Sequence, residues 1–123
     1  METESVISIS EEQRVYTLGE ARALLPVIYR LTENAQKNVK NGLNRLEAAK
    51  NKNSEVTKIV ETEIQIEVDR WQHKIEKLGA VSKGMWLVDF DNGAGYFCWK
   101  FPETDILHWH GYSDGYTGRK AIL

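Results

Sequence analysis

A chain of 123 residues with 41% hydrophobic and 28% charged side chains is long enough for one domain with a modest core and too short for two ordinary ones. Its formal net charge of −2 supplies no global field to gather DNA or an anionic membrane surface. A single cysteine, Cys98, excludes an internal disulfide, so folding does not depend on an oxidising compartment.

Residues 1–13 (METESVISISEEQ) are short, polar and acidic and read as a flexible leader, with a short strand expected at Arg14 to Tyr16. No cationic segment leading into an apolar run opens the chain, and no run of about 18 apolar residues occurs, so the expected location is cytoplasmic and no membrane is expected as a partner.

Thr17-Leu18-Gly19-Glu20 is a capping box: the threonine hydroxyl can accept from the third helical amide while the glutamate reaches back to the cap's own N–H. The helix it opens has apolar positions at Leu18, Ala21, Leu24/Leu25, Ile28, Leu31, Ala35, Val39, Leu43, Leu46 and Ala49, in steps of three and four. Pro26 inside it predicts a kink. Gly42 weakens it without ending it. Asn51-Lys52-Asn53-Ser54 is a polar break with a serine N-cap, and a second stripe follows at Val56, Val60, Ile64, Val68, Trp71, Ile75 and Leu78. Gly79 stands where a left-handed C-cap belongs. Two long periodic segments joined by a short loop predict an antiparallel helical hairpin over about 17–79, with coiled-coil character.

After Gly84 the period changes from 3.6 to 2. Met85 to Phe90, Tyr96 to Phe101 and Ile106 to His110 read as three strands, the first pair joined through Asn92-Gly93. Alternation sorts Val88, Phe90, Phe97, Trp99, Phe101, Leu107 and Trp109 onto an apolar face, and Asp89, Cys98, Lys100, His108 and His110 onto the opposite one. The apolar face needs a cover, which the hairpin supplies. The expected fold is therefore α+β, a long antiparallel two-helix hairpin packed at one end on a three-stranded antiparallel β-meander. It forms a single domain over 14–123, with the meander at about 85–110 and an ordered tail at 111–123.

Two stretches carry a family resemblance. Tyr16 to Ala21 with Leu24-Leu25-Pro26, and Leu87 to Phe90, Tyr96 to Lys100, Trp109-His110 and Gly115 to Arg119, resemble the DUF2203 family, whose name denotes a domain of unknown function. The resemblance covers nearly the whole chain from residue 14. It implies an architecture and a conspicuous C-terminal cluster and names no reaction. The chain departs from the family pattern at Trp86, where members often have glycine before "LVDF", at Gly111, where "WHE" has its acid, and at Lys100, which replaces an arginine.

The chemistry-bearing residues gather at the C-terminus. His108 and His110, two apart on one strand face, suit a pair of metal ligands to which Asp89 or Asp114 would add a third. Asp89, Trp99, His110, Asp114 and Arg119 form a candidate ligand site, since arginine presents a rigid fork to carboxylate or phosphate. The competing structural account has Arg119 pairing with Asp89 or Asp114 and pinning the tail to the sheet. Cys98, between Phe97 and Trp99, reads as a small buried hydrophobe. Glu63, Glu67, Asp69 and His73 read as a solvated helix face. Seven basic residues against three acidic ones from Arg30 to Lys58 lack interleaved aromatics, so nucleic acid is not the expected partner.

Two functions from different classes fit this pattern. The favoured one is a non-enzymatic, oligomeric binding or scaffold module with its site at the C-terminal sheet. It needs no cofactor beyond a candidate divalent metal, and it self-associates through helical stripes that run past the meander. The other is a small metal- or acid–base-dependent enzyme using His108 and His110 with a nearby aspartate.

Overall fold

A computed structural model of the chain describes residues 14–49 and 54–123. The expected leader and residues 51–53 of the inter-helix loop lie outside the described residues. Helix α1 spans Leu18–Ala49 and α2 spans Ser54–Lys77. The capping box forms as its residue types dictate: Glu20 N–H donates to Thr17 Oγ1 (3.1 Å) and Thr17 N–H donates to Glu20 Oε1 (2.9 Å). Pro26 lies inside α1, which continues past it to Ala49. At the other end of the hairpin, Gly79 adopts φ 90°, with Gly79 N–H donating to Glu76 O and Ala80 N–H to Ile75 O. That pair of bonds is a Schellman motif, and glycine meets its left-handed requirement without strain.

Cross-helix pairs run in opposite directions along the two helices: Arg45 with Glu63, Asn38 with Glu67, and Thr32 with Trp71. The hairpin is therefore antiparallel. Its interior is apolar apart from the fully buried Thr32, whose hydroxyl accepts from Trp71 Nε1 at 2.9 Å. Gly42 is buried at the crossing, where a Cβ would stand 2.7 Å from Ile64 Cγ1. The residue that weakens α1 intrinsically is the one that lets the helices approach.

The sheet has five antiparallel strands in sequence order, two more than the meander expected: β1 Val81–Gly84, β2 Leu87–Asp91, β3 Tyr96–Lys100, β4 His108–His110 and β5 Lys120–Ala121. The three expected strands are β2, β3 and a shortened β4. The registers Val88↔Trp99, Asp89↔Cys98, Phe97↔Trp109 and Cys98↔His108 keep the two faces as the alternation sorts them. One apolar position differs. Leu107 is 51% exposed, because β4 begins only at His108, and Ile106 is fully buried in its place.

The core lies between the hairpin and the apolar face. Ala21, Leu25, Ile28, Trp71 and Ile75 pack with Val88, Phe90, Trp99 and Ile106. Tyr16 meets the Phe90 ring edge-on at 5.3 Å, and Val15 bridges to Asp91 in parallel, tying the segment before α1 to the sheet. Between β1 and β2 the turn residue Trp86 has φ 70°, a conformation costly for a tryptophan. Its ring stacks edge-on against Trp71 at 5.0 Å, which offsets part of that cost. A glycine at this position would adopt the same backbone without strain.

Candidate functional site

The second face of the sheet is polar, and its centre is also buried. Asp89 on β2, Cys98 on β3 and His110 on β4 are 1%, 0% and 2% exposed. Period-two alternation puts all three on one side, and the register places Asp89 opposite Cys98, with His110 one strand further on. His110 Nε2 lies 3.0 Å from Asp89 Oδ2, and Nδ1 lies 2.8 Å from the Gly111 carbonyl oxygen. The Gly111 carbonyl can only accept, so Nδ1 carries its proton toward it and Nε2 is the nitrogen turned to the Asp89 carboxyl. Asp89 Oδ1 is buried with no hydrogen-bond partner among the described residues. One ligand atom from each of Asp89, Cys98 and His110 lies within 4.8 Å of the other two.

The chain beyond β4 brings Arg119 to this face, beside Cys98. Asp114 Oδ2 accepts from Gly111 N–H at 3.1 Å and shapes the first turn of the tail. A short 3₁₀ turn at Tyr116–Gly118 then delivers Arg119. Its guanidinium forks onto Glu103, Nη1 to Oε1 at 3.1 Å and Nη2 to Oε2 at 2.9 Å, and stacks over Tyr116 at 4.4 Å. Glu103 itself sits in the turn after β3, where Oε1 accepts from Lys100 N–H at 2.8 Å. On the other flank Tyr96 meets the His110 ring at 5.6 Å and Tyr112 edge-on at 5.2 Å, while Tyr112 donates to Asp91 at 2.8 Å.

The electrostatics follow this packing. Burial first, then the Asp89 charge, pushes the Cys98 thiol up to about 12, while Arg119 pulls it the other way. Burial alone would raise the Glu103 carboxyl; the bonds from Arg119 and the Lys100 amide hold it below the usual carboxylate range. Burial would likewise lower Arg119, and Glu103 raises it instead.

The sequence-predicted site residues divide accordingly. Asp89 and His110 meet, and Arg119 reaches Cys98 beside them while its hydrogen bonds go to Glu103. Trp99 lies on the opposite, core-facing side of the sheet, and Asp114 is an exposed turn residue, so neither reaches the buried group. Arg119 pairs with Glu103 rather than with Asp89 or Asp114, a correction that comes from the turn after β3. His108 stands opposite Cys98 with Nδ1 buried and unpartnered among the described residues, but the group whose ligand atoms converge contains His110 without it. Cys98 is buried as expected, yet its neighbours are ionisable. Its register with Asp89 is the signal, and register is not written in one strand's sequence. The surface grooves at Asn34, Asn38, Glu67 and Arg70 on the hairpin and at Arg22, Pro26 and Tyr29 share no residue with this group.

The family model described as "Uncharacterized conserved protein (DUF2203)" matches residues 14–122. No curated protein and no solved structure matches the chain.

Proposed function

We propose that this chain, which belongs to the DUF2203 family, is a non-enzymatic, self-associating binding module whose ligand site is the polar face of the C-terminal sheet. The observation that carries this reading is the buried Asp89–Cys98–His110 group with Asp89 Oδ1 left unsatisfied. Withdrawing a carboxylate and an imidazole from water costs several kcal/mol per ion. Apolar side chains of similar size would hold five strands together at lower cost. A ligand that supplies the missing partner accounts for the arrangement.

The geometry favours binding over proton-transfer catalysis. A general base must come within hydrogen-bond reach of its substrate, whereas His110 is 2% exposed and both its nitrogens are engaged. No helix among the described residues is long and apolar enough to cross a membrane. A reducing compartment such as the cytoplasm suits a thiol that belongs to the site. Self-association is supported by Leu43, Ile59 and Ile66, which are 49%, 56% and 48% exposed on the hairpin. Ile59 and Ile66 are one heptad apart and so share a face of α2. Two hairpins packed through that face would make a four-helix bundle.

The test is a set of thermal melts on protein purified without a nickel column, against divalent metals and small carboxylate and phosphate anions. At least one class should raise Tm saturably, and His110→Gln should abolish the rise. A flat response across all classes would contradict the site.

A further inference from the structure

The geometry points to a site for one divalent first-row transition cation of the zinc type, held by the Asp89 carboxylate, Cys98 Sγ and His110 Nε2. This rests on the binding-module reading and names its ligand class.

The donor set selects the class. A carboxylate oxygen, an imidazole nitrogen and a thiol sulfur together suit zinc or cobalt and do not suit calcium or magnesium, which take all-oxygen shells. One ligand atom from each of the three residues stands within 4.8 Å of the other two. The edges of a tetrahedral zinc site with ordinary metal–ligand bonds are roughly 3.3–3.8 Å. Closure by about 1 Å through side-chain torsions would complete the shell. Three protein ligands leave a fourth position for water or an outside ligand.

Three further features fit a cation at this point. The His110 Nδ1 bond to Gly111 O is the outer-shell contact that metal-binding histidines make, and it leaves Nε2 to face the metal. Asp89 Oδ1 has no hydrogen-bond partner among the described residues in a residue 1% exposed, and beside His110 the carboxylate's other neighbour is the weak S–H donor of Cys98. Charge fits as well. The Arg119 guanidinium beside Cys98 is itself paired with Glu103, so it does not stand as an unpaired cation next to the group. Metal binding would release the thiol proton to solvent.

The other histidine–acid group of the chain does not compete. On α2, Glu63 pairs with Arg45, Glu67 with Asn38 and Arg70, and Asp69 with Gln65, all on exposed surface, which leaves His73 without a converging acid.

Titration of metal-free protein with cobalt(II) alone tests the site. The expected result is one cobalt per chain, a thiolate-to-cobalt charge-transfer band in the near ultraviolet, and visible bands of tetrahedral intensity. Zinc(II) should displace the cobalt. Cys98→Ser, close to isosteric, should lose the charge-transfer band and weaken binding at least about 100-fold, more than an outer-shell change would. Asp89→Asn should weaken binding with the band retained, and His73→Gln should change nothing. Absence of the band in the parent protein, or cobalt binding unaffected by Cys98→Ser and Asp89→Asn, would overturn the cation site. If metals fail while an anion raises Tm in a His110-dependent way, the cation site falls and the binding module stands. If neither class binds, both fall.

Discussion

His110 is held by the Gly111 carbonyl and the Asp89 carboxyl and shielded by Tyr96, so its loss leaves Asp89 buried without that partner. His110→Ala should therefore destabilise the fold by about 3–5 kcal/mol in urea melts, because the uncompensated carboxylate, more than the lost contact, sets the penalty. A change below about 1 kcal/mol would mean that water already reaches the pair. Glu103 makes a pH-dependent contribution whose sign follows from its lowered pKa. A carboxylate depressed on folding contributes stability that is complete above its unfolded value of 4.5 and is lost as pH falls through the lower folded value. Glu103→Gln should thus lower Tm near neutrality and approach the parent protein as pH falls through that lowered value. A Tm difference that stays constant with pH would contradict the Arg119–Glu103 assignment. At this scale the sequence discloses Asp89, His110 and Arg119 as unusual, because a plain sheet face needs none of them. It does not disclose Glu103 as Arg119's partner, since 16 residues separate them and only the turn after β3 and the tail's path bring them together.

Among the elements, the helices were the most legible, because stripes of ten and seven apolar positions, a capping box and a C-cap glycine all agree. β1 and β5 were not legible. Val81–Gly84 carries serine, lysine and glycine with an irregular register between Ser82 and Gly84, and Lys120–Ala121 is too short to show alternation. Both form because β2 and β4 would otherwise present unpaired edges. Gly42 illustrates the same limit inside a helix, where propensity and packing oppose each other. Alanine there gains about 1 kcal/mol of helix propensity but places Cβ 2.7 Å from Ile64 Cγ1. Overpacking of that kind costs about 1–3 kcal/mol, so Gly42→Ala should lower stability in denaturant melts, and a stabilised variant would show that the helices can separate freely. Trp99, fully buried against the hairpin, should cost about 3–5 kcal/mol on replacement by alanine. Out of a total stability near 5–15 kcal/mol, that leaves little margin for folding.

For the molecule as a whole, the hairpin covers the apolar face of the sheet, while the other face buries Asp89, Cys98 and His110 at its centre and leaves Lys100 exposed at its margin. The hairpin's far end remains with Leu43, Ile59 and Ile66 in water, while Val39 is 3% exposed between the helices. Light scattering coupled to size exclusion should give a mass near twice 14.1 kDa, and Ile59→Glu with Ile66→Glu should return a monomer. A parent protein that stays monomeric at high micromolar concentration would remove self-association from the account.

The central claim is that the second face keeps its ionisable groups for a ligand, at the expense of stability. The most direct measurement is the urea stability and ligand-dependent Tm of Asp89→Val/His110→Leu, which replaces the buried pair by apolar side chains. Replacement of a buried ion pair in this way is often neutral or stabilising by about 1–4 kcal/mol. The double variant should therefore match or exceed the ligand-free parent protein and lose every ligand-induced rise in Tm. A double variant destabilised by more than about 3 kcal/mol, in a parent protein whose Tm no ligand raises, would show that the pair holds the fold and serves no site.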